Sequence, residues 1–308
     1  MIEISGYTGG IFRFLGDQNS VTLVKIQNSP VNSIALVISS CDAYADLWLP
    51  CTTLIEKHWN DCTYPKYLIS NLRRFDRYGF ITLAVGNRGS WSDEFAAALD
   101  LMDAEYVLVM LDDFFLRKNV SNQTIEFCVQ FAARFRATCV RLVASPGPTD
   151  TAAEGQNLIG SCDPDLPYRL SMQASIWNRQ ALRALLRPGE SIWQFEHDGN
   201  ARIRATNHGF YSVWKSVLPY EGIFSHHVVE KGRWLFHEKW IFRTKRIGCD
   251  FSARGTLSFR RTLVYHAARM IDRVLSLLPW RKKLILKAHL KAILRPIFKA
   301  QLKQLSGK

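Results

Sequence analysis

The segment Tyr106-Val-Leu-Val-Met-Leu-Asp-Asp-Phe-Phe-Leu116 constrains the fold more than any other stretch of the chain. Its apolar run, Val107 to Leu111, shows no polar alternation. A short Val- and Leu-rich run of this kind predicts a strand buried on both faces, as in the centre of a parallel α/β sheet. The run stops at two adjacent carboxylates, Asp112 and Asp113, and bulky apolar residues resume at Phe114. Carboxyl ends of strands in open α/β sheets face the ligand crevice. Two like charges placed there are costly unless a cation or hydrogen bonds offset them. A divalent cation held by oxygen ligands and shared with phosphates is the simplest offset. The alternative is that the pair caps the next helix or turn.

The same strand pattern recurs upstream. Residues 33–42 form a second buried run that ends in small polar residues, and 65–71, 79–85 and 139–144 read as further strands. Between them, apolar spacing predicts helices over 43–59, interrupted at Pro50, over 94–102 with Ser92 or Asp93 as N-cap, and over 121–137. Strand and helix therefore alternate to about residue 145, which predicts a mostly parallel sheet with helical crossovers. Short strands over 11–14 and 21–26 precede it. Residues 146–167 read as a turn-rich excursion over the site, 168–177 as a returning strand and 178–186 as a short helix. An aromatic and histidine-rich segment then runs to Trp240.

The chain has 308 residues, 47% of them hydrophobic, so a large core is expected. No apolar run approaches the roughly 18–20 residues needed to span a bilayer. Met1 to Tyr7 lacks the basic and apolar zones of a signal peptide, which predicts a cytoplasmic protein. Seven scattered cysteines with no C-x-x-C pair indicate neither a zinc site nor a disulfide framework. A Walker sequence and a G-x-G-x-x-G fingerprint are both absent, which disfavours P-loop and dinucleotide chemistry.

The net charge is +13, and its location matters more than its size. Residues 256–308 hold thirteen Lys and Arg against the single acid Asp272, so they carry nearly all of the excess. A near-neutral body does not suit a nucleic-acid partner. Residues 1–255 are read as a catalytic domain and 256–308 as a basic helical tail. From Lys283 to Lys303 cations recur every four residues among leucines and isoleucines, with a bend expected near Pro296. A basic amphipathic helix over 280–305 suits an anionic membrane surface. The alternative is packing on its own domain or on another subunit.

The order of these parts resembles bacterial glycosyltransferases of the GT-A fold that build cell-surface polysaccharides. Val37-Ile-Ser-Ser-Cys-Asp42, Gly89-Ser-Trp-Ser-Asp93, Leu111-Asp-Asp-Phe-Phe-Leu116 and Leu170-Ser-Met-Gln-Ala-Ser-Ile-Trp177, leading to Trp193-Gln-Phe-Glu196, carry the likeness over residues 33–240. It implies a Rossmann-like α/β domain with helices on both faces of the sheet. Ser39, Ser40, Asp42, Trp91, Ser92 and Asp93 would contact a nucleotide-sugar donor. Asp112 and Asp113 would hold Mn²⁺ or Mg²⁺. The acids here are adjacent, where the family usually has Asp-x-Asp. Neighbours on a strand point to opposite faces, which favours Asp113 as the ligand and Asp112 on the ribose or behind the metal. Glu196 would be the base of an inverting transfer, with Asp198 as second choice. His226, His227 or His237 would complete the metal shell, and Lys231 or Arg233 would neutralise the leaving diphosphate. Trp177 and Trp193 would stack on sugars. The acceptor would be a growing lipopolysaccharide, capsule or exopolysaccharide, lipid-linked if the tail lies on the inner face of the cell membrane. Two other readings compete: a sugar-phosphate nucleotidyltransferase, although its Gly-rich phosphate loop is not evident, and a non-catalytic membrane-associated scaffold.

Overall fold

The computed structural model describes residues 14–15, 22–23, 33–151, 158–204, 209–220, 228–244, 247–275 and 278–290. A small ladder of β1 (Phe14–Leu15) and β2 (Thr22–Leu23) stands apart from the main sheet. The crossover half follows as β3 (Ile34–Ser39), a 3-10 turn (Asp42–Tyr44), α1 (Ala45–His58), β4 (Lys66–Ser70), β5 (Phe80–Ala84), α2 (Trp91–Asp100), β6 (Tyr106–Leu111) and α3 (Asn122–Arg134). Then come β7 (Cys139–Arg141), β8 (Asp150–Thr151), β9 (Ile159–Ser161), β10 (Ser175–Asn178), α4 (Arg179–Leu185), α5 (Ile192–Ile203) and β11 (Phe210–Val213). The hairpin β12 (Val229–Glu230) and β13 (Arg233–Trp234), α6 (Phe236–Thr244) and α7 (Phe259–Leu275) complete the body. Residues 280–290 form a further helical stretch.

Strands β3 to β11 form one sheet in the order β5-β4-β3-β6-β10-β7-β11-β9-β8. All but β9 and β10 point the same way, so the sheet is mostly parallel. Its two faces are separated residue by residue. Leu36, Ile38, Leu108 and Met110 face the core beneath α1 and α3, whereas Val37, Val107 and Val109 face the core beneath α2, α4 and α5. This is why β3 and β6 carry no polar alternation: both faces exclude water. The expected α/β architecture with helices on both sides is present.

Several boundaries differ from expectation for physical reasons. Helix α1 runs through Pro50 without interruption. Burial of Leu47, Trp48, Cys51, Leu54 and Ile55 offsets the one hydrogen bond that proline removes. The cap of α2 is Ser90, whose Oγ accepts the Asp93 N–H at 3.2 Å, and neither Ser92 nor Asp93 takes that place. The returning strand shortens to Ser175–Asn178, because Leu170 N–H donates to Asn200 Oδ1 (3.0 Å) and Met172 N–H donates to Glu196 Oε1 (2.6 Å). The 146–167 excursion, in its described part, supplies β8 and β9 at the far edge of the sheet, so it does not lie over the end of β6. Residues 193–199 belong to α5, with Gly199 well inside the helix. His226, His227 and the tail beyond 290 lie outside the described residues.

Candidate active site

β3 and β6 are parallel neighbours in the register Ser39 to Leu111, so Ser40 and Asp112 leave the sheet side by side. Ser40 Oγ donates to Asp112 Oδ2 and accepts the Trp48 indole N–H at 2.7 Å. Asp112 is only 7% exposed. Burial, then the charge of Asp113, pushes its carboxyl well above the usual carboxylate range, against the opposing pull of the Ser40 bond and of Arg254. Ser39 Oγ accepts the Trp91 indole N–H at 3.1 Å. Trp91 is stacked on Phe95 with ring centroids 5.2 Å apart. Ser40 and Asp112 therefore meet at the carboxyl end of β3 and β6, and the Ser39–Trp91 contact forms on the opposite face of the same strand end.

Asp42, Ser92 and Asp93 serve the backbone. The Asp42 carboxylate accepts the N–H groups of Asn71 and Leu72 at 3.1 Å and of Arg73 at 3.2 Å. Its own N–H donates to Asn71 Oδ1 at 2.9 Å, so Asp42 fixes the loop leaving β4. Ser92 Oγ accepts Glu190 N–H at 3.0 Å, and Asp93 Oδ2 accepts Gly189 N–H at 3.1 Å and the Ser90 hydroxyl at 2.5 Å. These bonds tie the α4–α5 connection to the start of α2. Ser92 and Asp93 also line a cleft of about 490 Å³ between α2 and α4, together with Arg88, Arg183 and Arg187. The Asp42→Ala protein is expected to lose about 1–2 kcal/mol, since three loop N–H groups lose one anchor. A urea midpoint unchanged from the wild type would remove this role.

Glu196 lies on the other flank. Its Oε1 accepts Met172 N–H at 2.6 Å and the Ser171 hydroxyl at 3.1 Å. Because β10 runs antiparallel to β6 from Ser175 opposite Val109, residues 171–174 arrive at the same edge from which Asp112 leaves. Burial raises the Glu196 carboxyl, opposed by the Met172 and Ser171 bonds. Asp198 is exposed and pairs with His197 Nδ1 at 2.7 Å. Two residues along a helix turn about 200°, so Asp198 does not join Glu196.

A guanidinium completes the acidic corner without any motif to announce it. Arg254 lies 4.4 Å over the Tyr44 ring and pairs with Asp46, Nε to Oδ2 at 2.7 Å. Its charge reaches Asp112. The partners are 208 residues apart in sequence, and Arg254 stands among small residues, so no local pattern marks it. Asp113 O accepts Val228 N–H at 3.3 Å, which seats the β12–β13 hairpin beside the carboxylates. Lys231 and Gly232 form its turn with φ of 50° and 73°, and the Lys231 and Arg233 side chains are exposed. Tyr265 of α7 lies within the field of Glu230 and Asp113, and burial above all raises its phenol.

The remaining candidates fall elsewhere. Trp177 is fully buried in the core and Trp193 is exposed at the start of α5. His237 Nε2 pairs with Glu238 Oε1 at 3.0 Å, and its Nδ1 lies 3.1 Å from His266 Nε2, where Arg117 also binds Glu238 at 2.6 Å. Among the described residues no group of three His, Cys, Asp or Glu is arranged to hold a metal. The Asp112–Asp113 pair nevertheless fits a hard divalent cation. It offers carboxylate oxygens only, the charge on Asp112 is under-compensated by its protein neighbours, and such cations commonly take one or two carboxylates with phosphates and water.

No protein-family model matches the sequence, and no curated protein does. Among solved structures, residues 1–349 of Staphylococcus aureus TarS in complex with UDP-GlcNAc share 12% identity at a TM-score of 0.38, covering 58% of each chain. A CMP:2-keto-3-deoxy-manno-octonic acid synthetase complexed with CTP shares 11% at 0.35, covering 61% of this chain and 93% of that one. The bifunctional IspDF of Campylobacter jejuni shares 14% at 0.32, covering 56% and 47%. The chain spans about 60% of the TarS 1–349 structure. Likenesses at this level carry no activity across.

Proposed function

We propose that the protein is a GT-A type glycosyltransferase that uses Mn²⁺ or Mg²⁺. It moves a sugar from a nucleoside-diphosphate donor to a growing surface glycan, with inversion. The observation that supports this most is buried Asp112, bonded to Ser40 and within the field of Arg254, where two central parallel strands end. Asp112 and Asp113 would hold the cation, which when bound supplies neutralisation of the diphosphate charge. Arg254, held by Asp46, adds a second and permanent positive charge on the same side. Lys231 and Arg233, at the turn beside Asp113, supply more.

In this reading the acceptor oxygen bonds to the anomeric carbon while the bond to the diphosphate oxygen breaks. The electron pair leaves with the diphosphate, and the acceptor proton passes to Glu196. A base works best with a pKa near the working pH, and burial moves Glu196 in that direction. The basic 280–305 segment would bring a cytoplasmic, membrane-peripheral enzyme to a lipid-carried acceptor.

Calorimetry with UDP, GDP, CDP and CMP, each with and without Mn²⁺, tests the donor site. Cation-dependent binding of one nucleotide is expected, and no binding by folded protein would sink the reading. With a donor identified, release of nucleoside diphosphate marks glycosyl transfer, and release of pyrophosphate from a nucleoside triphosphate marks a nucleotidyltransferase. Glu196→Gln should lower kcat by about 10²–10⁴-fold with donor affinity retained. An unchanged kcat would exclude Glu196 as the base.

A further inference from the structure

Helix α7 is amphipathic in the reverse of the usual sense. At 100° per residue, Thr262, Tyr265, His266 and Arg269 share one face. That face is turned to the body: Thr262 is buried, its Oγ1 accepts Phe236 N–H at 3.4 Å, and His266 meets His237. The adjoining, outward side is formed by Phe259, Leu263, Ala267, Met270, Ile271 and Val274. It is turned to solvent, with Leu263 58%, Met270 57% and Val274 65% exposed. Two exposed aromatics of α6 extend it: Phe236, whose ring centroid is 5.8 Å from that of Phe259, and Trp240. An apolar face of this continuity marks an interaction surface.

Charge chooses the occupant. Arg260 is exposed within this face, and Lys282 and Lys287, further along the chain, are exposed as well. The segment from 256 onward carries thirteen cations and one acid. A second copy would bring two such segments together and repel. An anionic bilayer attracts the cations and buries the apolar residues, with aromatic rings at the interface. Among the described residues no helix is long and apolar enough to cross a membrane. We infer that the outward face of α7, with Phe236 and Trp240, docks on an anionic lipid bilayer in its own right. This surface is distinct from the 280–305 segment, and its docking does not depend on the transferase reading.

The test uses the full chain and sedimentation with vesicles of phosphatidylcholine alone or mixed with phosphatidylglycerol, without nucleotide. Leu263→Glu/Val274→Glu is compared with the wild type and with Lys282→Gln/Lys283→Gln/Lys287→Gln. The wild type should bind the mixed vesicles. The glutamate pair should weaken binding by about 30-fold or more, from the loss of two buried side chains, with the thermal midpoint unchanged. Four results would overturn the inference. They are no binding by the wild type, loss of binding in the lysine variant alone, a wild-type dimer that the glutamate pair dissociates, and a thermal midpoint lowered by the glutamate pair. The third would assign the face to a second copy and the last to another segment of the same chain.

Discussion

The Asp112→Asn protein should melt above the wild type at neutral pH and show strongly weakened cation-dependent nucleotide binding. Both effects have one origin. Asp112 is buried beside Asp113, and its carboxyl is raised chiefly by that burial and then by the neighbouring charge. The folded chain therefore keeps a proton on Asp112 at pH values where the unfolded chain, near the ordinary aspartate value of about 3.9, has released it. The native state binds more protons, so stability falls as pH rises through this window. Below the unfolded value wild type and variant should be alike, and the gap should widen upward and level off above the folded value. Asparagine still accepts the Ser40 hydroxyl through Oδ1 and carries no charge to desolvate. A gain on the order of 1 kcal/mol is expected. For a chain of this size that is about 1–2 °C. The loss on the binding side should be about 10²–10³-fold, corresponding to several kcal/mol of charge neutralisation. Thermal melts of both proteins against pH, with calorimetry beside them, decide the matter. A variant less stable than the wild type at pH 7 would mean that the fold already compensates this carboxylate.

Arg141→Met should be the most damaging single change in the sheet, costing about 3–5 kcal/mol. Arg141 is only 1% exposed and donates to three carbonyls: Pro146 O at 2.6 Å, Tyr168 O at 2.9 Å and Arg169 O at 2.6 Å. Methionine fills most of the volume and satisfies none of them. Lysine should not rescue the loss, because one ammonium cannot match the planar fork across three acceptors. The damage should spread to residues 168–172 and so to the peptide that Glu196 holds. Urea unfolding gives the cost, and a methionine variant within 1 kcal/mol of the wild type would contradict this account.

The central half of the fold was legible because its causes are local. Val107 to Leu111 is apolar on both sides since both faces of β6 are covered, and an uninterrupted run records that directly. The acids that end it were legible for the same reason. Caps and clasps were less so: Ser90, Ser92 and Asp93 can all accept a backbone N–H. Which of them caps α2 is settled by Gly189 and Glu190, almost a hundred residues away. Arg254 was not legible at all, since its place depends on Asp46 and Tyr44 across most of the chain. The burial of Tyr265 was hidden in the same way, inside a segment whose composition reads only as basic.

Strand β10 is inserted antiparallel between β6 and β7. One flank of the crevice is therefore made of chain leaving the sheet, at Ser39, Ser40 and Asp112, and the other of chain arriving at it, at Ser171 and Met172. Insertions or exchanges between Leu142 and Gln173 would remodel the arriving flank while the β3–β6 pairing that aligns Ser40 with Asp112 keeps its register. The two flanks of this strand end can thus change independently, one by exchange of a loop and the other only by altering the central pairing.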